Sequence, residues 1–251
     1  MEGPMEQATR IEEQRPHDFV DLSEHAPEVL IDLRYKSSHN FTGRPVEGYG
    51  PQRKCWLSLA AADKLRVVAA AARQRGLVIV VYDAYRSVES VRDFQVWAAE
   101  PVDNEVPEET SSVKRRYYPN HSKKELFAAG FIASSSSHSR GSTVDLTLLD
   151  INKRETYGYG ERGQERTITL KDGSEVLLLD DGTVNMGGHF DLFHDCSHHD
   201  SPLITDQEAQ DNRNYLRSLM NQHGFQALPE EWWHYTLRQE PYPHRAFDFR
   251  D

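Results

Sequence analysis

The chain has 251 residues, with 29 Lys or Arg and 40 Asp or Glu, so its formal net charge is −11. This acidic balance argues against a nucleic acid partner, because phosphate binding requires a basic face. The sequence has no run of about 18 apolar residues, which excludes an apolar membrane-spanning helix. The amino-terminal residues are acidic and lack the apolar core of a secretory signal, so we expect a cytoplasmic protein without a membrane partner.

The cysteine count directs the search for a metal site towards other residues. The two cysteines, Cys55 and Cys196, are too few for a disulfide framework or a cysteine-based zinc site, so we expect two free thiols. The 12 histidines are better candidates for metal ligands. Residues 1–16 have little to bury and are predicted to be a flexible acidic tail before one domain, residues 17–251.

Three helices are predicted from apolar stripes and end signals, over residues 58–75, 87–99 and 205–224. Ser58 and Ser87 are the expected caps of the first two helices. Thr205 and Glu208 form the expected capping box of the third helix, which Gly224 ends. Residues 100–122 are polar and proline-containing, so we expect an exposed excursion there.

Strands are predicted over residues 77–83, 143–149 and 232–237, with a hairpin over residues 167–179. The first strand is apolar throughout, which suits burial on both faces. The second alternates apolar residues with Asp145 and Thr147, so it is expected to have one wet face. Asp172 and Gly173 favour a two-residue turn in the hairpin. These elements predict an α+β domain with its strands in one sheet and its helices against that sheet.

The segment SSHSRGSTVD, residues 136–145, contains a histidine and an aspartate on either side of a glycine. Gly141 permits a turn that points His138 into the same cleft as Asp145. An imidazole and a carboxylate that converge are two of the three ligands of a catalytic zinc site. The alternative interpretation is a capped turn with a hydrogen-bonded His–Asp pair.

The segment EWWH, residues 231–234, offers one more carboxylate and one more imidazole. A zinc hydrolase needs three protein ligands and a nearby base, so His234 would complete the ligand set and Glu231 would be the base. Their spacing splits them across the faces of a regular strand. Glu231 must therefore lie at the strand entry, or a bulge must lie between them. The alternative is an aromatic core strand with a surface glutamate.

Arg86 lies just beyond the apolar strand, where sites of α/β proteins usually form. A fixed guanidinium there could bind a developing oxyanion. The alternative is a strand-end arginine that pairs with Asp83 or another acid.

A second dense cluster of possible ligands lies between residues 189 and 199. Its members are His189, His194, His198, His199 and Cys196. The stretch has no separated ligand pair on a clear scaffold, so we do not assign a second metal site to it. Cys196 has no evident base and is expected to be a structural or free thiol.

Together these segments resemble the zinc D-alanyl-D-alanine dipeptidases of the VanX type. The resemblance covers about residues 18–250 and includes the stretches NFTGRPVEGY, YDAYRS, SSHSRGSTVDLTL, MGGHFD, EWWHY and EPYPHRAFDF. It implies a central, mostly antiparallel sheet flanked by helices, with the zinc site in a cleft on the sheet, as in the hedgehog signalling domain. It also implies one Zn²⁺ per subunit. The implied partner is a small substrate, D-alanyl-D-alanine or a similar D,D-dipeptide, which is hydrolysed to free amino acids.

The resemblance also implies roles for individual residues. The implied zinc ligands are His138, Asp145 and His234. The implied catalytic residues are Glu231, as acid and base, and Arg86, as stabiliser of the transition state. The implied substrate-binding residues are Asp191, which would hold the ammonium, with Tyr35 and Ser136 lining the dipeptide pocket.

The sequence departs from the family at Thr143, where a small alanine is usual before the zinc aspartate. We expect its hydroxyl to form a local hydrogen bond without abolishing metal binding. Segments 100–122 and 150–183 are longer than the family needs, and the second could cover the cleft.

Two alternatives to a dipeptidase stay open. One is a D,D-carboxypeptidase or peptidoglycan endopeptidase on the same scaffold, which would need an open groove for a longer chain. The other is a non-catalytic zinc-binding module that resembles the hedgehog domain. The presence of both Glu231 and Arg86 argues against such a module.

Overall fold

The computed structural model describes residues 10–50, 53–100, 111–128, 131–158 and 164–250. The helices within these ranges are α1 (Leu22–His25), α2 (Leu59–Arg73), α3 (Val88–Ala99), α4 (Ser112–Tyr117), α5 (Glu125–Ala128) and α6 (Gln207–Gln222). The strands are β1 (Arg10–Glu12), β2 (Phe19–Asp21), β3 (Leu30–Ile31), β4 (Trp56–Ser58), β5 (Leu77–Asp83), β6 (Thr143–Asp150), β7 (Gln164–Thr169), β8 (Glu175–Asp180), β9 (Phe225–Ala227), β10 (His234–Leu237) and β11 (Arg245–Phe247). This mixture confirms the prediction of helices and strands in one chain. The prediction that the strands form one sheet is wrong, because the described strands form a five-stranded sheet and three two-stranded ones, β1–β11, β2–β4 and β7–β8. None of the helices described is both long enough and apolar enough to span a membrane.

The main sheet has five strands in the order β3, β5, β6, β10, β9. Strand β3 runs parallel to β5, and the other three pairings are antiparallel. Strand β6 lies at the middle of the sheet, and its residues 143–149 are all buried. The prediction that this strand has a wet face is therefore wrong. The 3₁₀ turn of residues 137–140 contacts β6, so local structure covers the face that the alternating pattern assigns to solvent.

The register of the main sheet places three ionisable side chains next to one another on neighbouring strands. Asp145 of β6 pairs with His234 of β10 on one side. On the other side it pairs with Asp83 of β5, after a register shift that follows Val81. Paired residues on neighbouring antiparallel strands point to the same face of a sheet. The sheet itself therefore brings Asp83, Asp145 and His234 together.

The first two predicted helices are confirmed as α2 and α3, with Ser58 and Ser87 as their caps. The third is confirmed as α6, but its predicted capping box is wrong. The cap is Asp206, whose carboxylate accepts hydrogen bonds from the backbone N–H groups of Glu208 and Ala209. A carboxylate also interacts favourably with the positive end of the helix dipole, which explains why Asp206 takes the place predicted for Thr205.

The predicted hairpin is confirmed as β7 and β8, but its turn is one residue longer than predicted. The backbone N–H of Leu170 donates to the carbonyl of Ser174 at 2.8 Å, which leaves three residues in the turn. Gly173 adopts φ +86° as the last of these residues. A three-residue turn that ends in a left-handed glycine is the next most common hairpin connection after the two-residue turn.

Two predicted irregular segments contain regular structure. Residues 10–12, within the predicted tail, form β1 and pair in parallel with β11. The prediction is wrong there because the partner strand lies at the far end of the chain, beyond the reach of local composition. The rest of the tail up to residue 9 lies outside the described residues. In the predicted excursion, residues 101–110 are also outside them, and Ser112–Tyr117 forms α4.

The turn that carries His138 ends at Gly141, which adopts φ +78°. A Cβ atom at Gly141 would lie 2.0 Å from Cζ of Phe19. Phe19 is itself buried against Tyr85, Phe247 and Phe249. Glycine is therefore required at this position for two reasons: its left-handed backbone conformation, and the space that the Phe19 ring occupies.

We expect Gly141→Ala to lower the free energy of unfolding by about 2–5 kcal/mol, because left-handed strain adds to overpacking against a buried ring. Gly173→Ala is the matched control, since Gly173 has a similar φ but no atom within 4 Å of the place that a Cβ would take. It should lower the same quantity by only about 1–2 kcal/mol. Urea denaturation measures both variants. Equal losses would show that contact with Phe19 does not constrain the turn.

Candidate active site

His138, Asp145 and His234 converge on one point, with one potential ligand atom from each lying within 4.8 Å of the others. Nε2 of His138 lies 3.4 Å from Nδ1 of His234 and 3.3 Å from Oδ2 of Asp145. Nδ1 of His234 lies 3.1 Å from Oδ1 of Asp145. The sheet register supplies Asp145 and His234, and the turn closed by Gly141 supplies His138.

These distances fit a tetrahedral zinc ion. Nitrogen and oxygen ligands lie about 2.0–2.2 Å from zinc, so two of them at tetrahedral corners are about 3.3–3.5 Å apart. The separation of 3.4 Å between the two histidine nitrogens is close to this edge length, and each of these nitrogens lies 3.1–3.3 Å from a different carboxylate oxygen of Asp145. Oδ1 of Asp145 is buried and accepts no well-aligned hydrogen bond from the described residues. Two imidazoles and one carboxylate also form the donor set of many catalytic zinc sites.

A backbone carbonyl fixes the orientation of His138. Nδ1 of His138 donates to the carbonyl of Ala84 at 2.7 Å, which requires the proton to be on that nitrogen. Nε2 of the neutral ring is then free to offer its lone pair to a metal. Such an outer contact is the usual partner of a metal-binding imidazole. Ala84 directly follows β5, so the central strand also sets the histidine tautomer.

The electrostatics of the ligand cluster favour an ionised carboxylate. Burial alone would raise the pKa of Asp145, but His138 and His234 outweigh it and hold that pKa below its usual value. Burial alone would lower the pKa of His234, but its close contact with the negatively charged carboxylate of Asp145 raises it. The negative charge of Asp145 is therefore compensated within the cluster by the two histidines beside it.

Glu231 lies in the turn that precedes β10, so the first of the two placements predicted for it is correct. The strand starts at His234 rather than at residue 232, because Trp232 and Trp233 belong to that turn. Oε2 of Glu231 lies 3.4 Å from Nδ1 of His234. Burial, offset in part by His234, raises the pKa of Glu231 to about 7. A carboxylate poised near neutrality suits a general base that must also return a proton.

Arg86 combines the two interpretations that the sequence leaves open. Its Nε and one terminal nitrogen donate to Oδ2 of Asp83 at 2.9 and 2.8 Å, so the predicted ion pair exists. The same guanidinium lies 3.6 Å from Oδ2 of Asp145 and lines the cavity beside the ligand cluster. Tyr49 donates to Oδ1 of Asp83 at 2.5 Å. Asp83 therefore holds Arg86 in place while Arg86 faces the cleft.

A cavity of about 230 Å³ joins the ligand cluster to the three predicted substrate-binding residues. Asp191, Tyr35 and Ser136 all line it, together with Glu231 and Arg86. The Tyr35 hydroxyl donates to Oδ2 of Asp191 at 3.0 Å. Burial raises the pKa of Asp191 well above its usual value, and the nearby carboxylates of Asp145 and Glu231 act in the same direction. A buried carboxylate in this setting would gain from a cationic ligand group.

The longer segments do not cover this cavity within the described residues. No described residue of segments 100–122 or 150–183 lines it. Instead, Asp181, which directly follows β8, forms an ion pair with Arg34, the residue before Tyr35. The described residues of 150–183 thus give no support to the expectation that this segment could cover the cleft.

The second histidine cluster does not converge into a metal site within the described residues. Three of its histidines are buried, and burial lowers the pKa of His189 and of His199 to about 3 in each case. These two rings are therefore neutral core groups rather than surface groups. Both cysteines are buried and free, as predicted.

Two contributors to the site are missing from the candidates drawn from the sequence. The sequence offers Asp83 only as a partner that would make Arg86 structural, although its contact is what orients Arg86. Tyr49 belongs to a quoted stretch, but nothing in that stretch points to Asp83. The local hydrogen bond expected of Thr143 is confirmed, with Thr236 as its partner at 2.9 Å.

Comparison with known proteins identifies relatives along nearly the whole chain. The family model Peptidase_M15, described as D-ala-D-ala dipeptidase, matches residues 15–161 and 160–251. The D-alanyl-D-alanine dipeptidase of Enterococcus faecium is 38% identical over 92% of this chain and 96% of its own length. Enzymes of the same name from Streptomyces coelicolor and Escherichia coli are 34% and 30% identical, each over 92% of this chain and over 97% and 91% of their own lengths.

We expect His138→Ala to reduce bound zinc from one ion per chain to a small fraction, because it removes one of three converging ligands. Metal analysis of the purified protein after dialysis measures this. His198→Ala is the control from the second cluster and should keep the full zinc content. If His138→Ala kept its zinc while His198→Ala lost it, the metal would lie among residues 189–199.

Proposed function

The chain belongs to the D-ala-D-ala dipeptidase family of M15 peptidases, and we propose that it hydrolyses D-alanyl-D-alanine with one zinc ion bound by His138, Asp145 and His234. The observation that carries this proposal is the convergence of a zinc-compatible triad, a carboxyl group with a raised pKa and a fixed guanidinium on one small cavity. Each of these parts has a distinct task in peptide hydrolysis.

The chemistry begins with the activation of water. When bound, zinc lowers the pKa of a coordinated water to about 7 and polarises the scissile carbonyl. Oε2 of Glu231 lies 3.4 Å from Nδ1 of His234, so the carboxyl group borders the place where the three ligands would hold zinc and could take up a proton there. Its raised pKa lets it keep that proton and then deliver it to the leaving amine at neutral pH. One carboxyl group thereby acts first as base and then as acid.

Arg86 acts on the charge that develops at the carbonyl oxygen. Asp83 binds the guanidinium through Nε and one terminal nitrogen, and the same side chain lines the cavity. A donor held in place before the reaction needs no rearrangement as the charge forms, and this is the basis of oxyanion stabilisation. The adjoining rings of Tyr35 and Phe94, with centroids 5.1 and 5.0 Å from Arg86 Cζ, restrict its movement further.

The other cavity groups suit the two ends of a dipeptide. Asp191 supplies a buried carboxylate for the substrate ammonium, and Tyr35 holds its Oδ2 atom in place. The Ser136 hydroxyl already accepts a hydrogen bond from the backbone N–H of His138 at 3.2 Å. Its own proton is then free for a substrate oxygen. Recognition of a free ammonium beside the scissile bond restricts the enzyme to substrates with one residue before that bond.

The size of the cavity favours a dipeptidase over the two alternatives from the sequence. Sites for drug-sized ligands usually occupy about 300–1,000 Å³, whereas this cavity has a volume of about 230 Å³. A D,D-carboxypeptidase or endopeptidase would need room for several residues of a peptidoglycan chain. A zinc module without catalysis would need neither Glu231 nor Arg86.

We expect Arg86→Ala to lower kcat by about two to three orders of magnitude, the usual scale for removal of one oxyanion donor. It should also lower the free energy of unfolding by about 3–5 kcal/mol, because Asp83 is left as a buried unpaired charge. Arg86→Lys restores a charge but not the planar fork, so it should recover only part of kcat. Kinetics normalised to the zinc-loaded, folded fraction separate the two effects. Normal kcat in that fraction would make Arg86 purely structural.

We expect Glu231→Gln to abolish nearly all turnover of D-alanyl-D-alanine while zinc content and thermal stability stay close to the parent values. The amide keeps the shape of the side chain but cannot take up a proton near neutral pH. Glu230→Gln, an exposed neighbour, is the matched control and should be fully active. Activity in Glu231→Gln would refute the mechanism, and loss of zinc from it would identify Glu231 as a ligand.

A further inference from the structure

Arg213 of α6 is a buried cation that the proposed mechanism does not use. It is 2% exposed, and within the described residues it forms no ion pair with a carboxylate. Burial lowers its pKa to about 10. A buried charge is unfavourable unless hydrogen bonds compensate it, so its contacts show what the position provides.

The contacts of Arg213 lie at both ends of one loop, residues 186–198, here called the Asp191 loop. Nε of Arg213 donates to the carbonyl of Met186 at 2.6 Å, at the start of the loop. One terminal nitrogen donates to the carbonyls of Cys196 and His198 at 2.9 and 2.8 Å, at its end. A single planar side chain therefore ties the two ends of the loop to α6. No apolar side chain of similar volume could make these contacts.

The loop holds Asp191 in an unfavourable backbone conformation. Asp191 has φ +62°, and among the described residues it is the one residue other than glycine with a positive φ. Such a conformation persists only where the surrounding structure enforces it. Inside the loop, the Ser197 hydroxyl donates to the carbonyl of Leu192, next to Asp191, at 2.6 Å. Arg213 and Ser197 together supply the fixed frame that this backbone requires.

We propose that Arg213 is a positioning residue for substrate binding, which holds Asp191 at the ammonium end of the dipeptide by fixing both ends of the Asp191 loop. This inference rests on the proposed function, in which Asp191 binds the ammonium. Arg213 acts through the loop and touches no substrate. Its loss therefore weakens the recognition of the ammonium more than it slows the chemical step.

A double-mutant cycle between Arg213→Lys and Asp191→Asn tests the proposal, with kcat and KM for D-alanyl-D-alanine as readouts. Lysine keeps the charge but cannot reach both ends of the loop. We expect Arg213→Lys to raise KM about tenfold with a smaller change in kcat and with full zinc content, on the scale of a displaced binding group. In the Asp191→Asn background the same change should alter KM less than about twofold, because residues that act through one contact are not additive.

Two further variants keep the test decisive. Ser197→Ala removes the other fixing contact and should show the same dependence on Asp191, even if Arg213→Lys folds poorly. Arg217→Met is the control from the next turn of α6, where Arg217 pairs with Asp200 on the surface, and should leave both constants unchanged. N-acetyl-D-alanyl-D-alanine, which lacks the ammonium, should be hydrolysed equally poorly by the parent and by Arg213→Lys.

The outcomes separate this inference from the proposed function. Equal effects of Arg213→Lys in the two backgrounds, or a loss confined to kcat, would overturn the positioning role. If Asp191→Asn alone left KM unchanged, the assignment of the ammonium site would fail, and the Arg213 inference would fail with it.

Discussion

The buried charge of Asp145 is the constraint on which the rest of the site depends. This carboxylate lies at the centre of the main sheet, where an isolated charge would be strongly unfavourable. His234 and Asp83 lie beside it through the sheet register, and His138 reaches it from a covering turn. Arg86 adds a cation 3.6 Å away, itself held by Asp83. His138, His234 and Arg86, which compensate the buried charge, are also groups that the proposed zinc hydrolysis uses, so stability and the proposed chemistry share one set of contacts.

Among the described residues, three carboxyl groups line this small cavity, and their surroundings give them different proton affinities. Asp145 is held ionised by two imidazoles, as a metal ligand should be. Glu231 has a pKa near 7, which suits a group that accepts and returns a proton. Asp191 has few compensating contacts apart from Tyr35 and gains most from a bound cation. Separate environments thus suit chemically similar side chains to the separate roles proposed for them, as in other enzymes that use paired carboxyl groups.

The sequence predicts which residues converge at the candidate site better than it predicts contacts between segments that are far apart in the chain. His138, Asp145, His234, Glu231 and Arg86 lie in short motifs whose spacing constrains where each can point, so a turn at Gly141 and a strand entry near residue 231 follow from local rules. Arg213 binds the carbonyls of Met186, Cys196 and His198, which lie 15 or more residues away in the sequence, and no local pattern reveals these partners. The pairing of β1 with β11 likewise depends on a distant segment. The periodicities that predict strands and helices repeat every two to four residues, so they carry no information about contacts between distant segments.

The parallel pairing of β1 with β11 has a consequence for how the enzyme is made. The turn that carries His138 rests on Phe19, and Phe19 packs against Phe247 and Phe249 near the carboxyl end. Arg140 of the same turn pairs with Glu240. Contacts between the two ends of a chain form late, because closure of so long a loop is entropically unfavourable. The turn that carries His138 therefore gains this support only after residues 240–249 have packed against it, so its final geometry is set late in the folding of the domain.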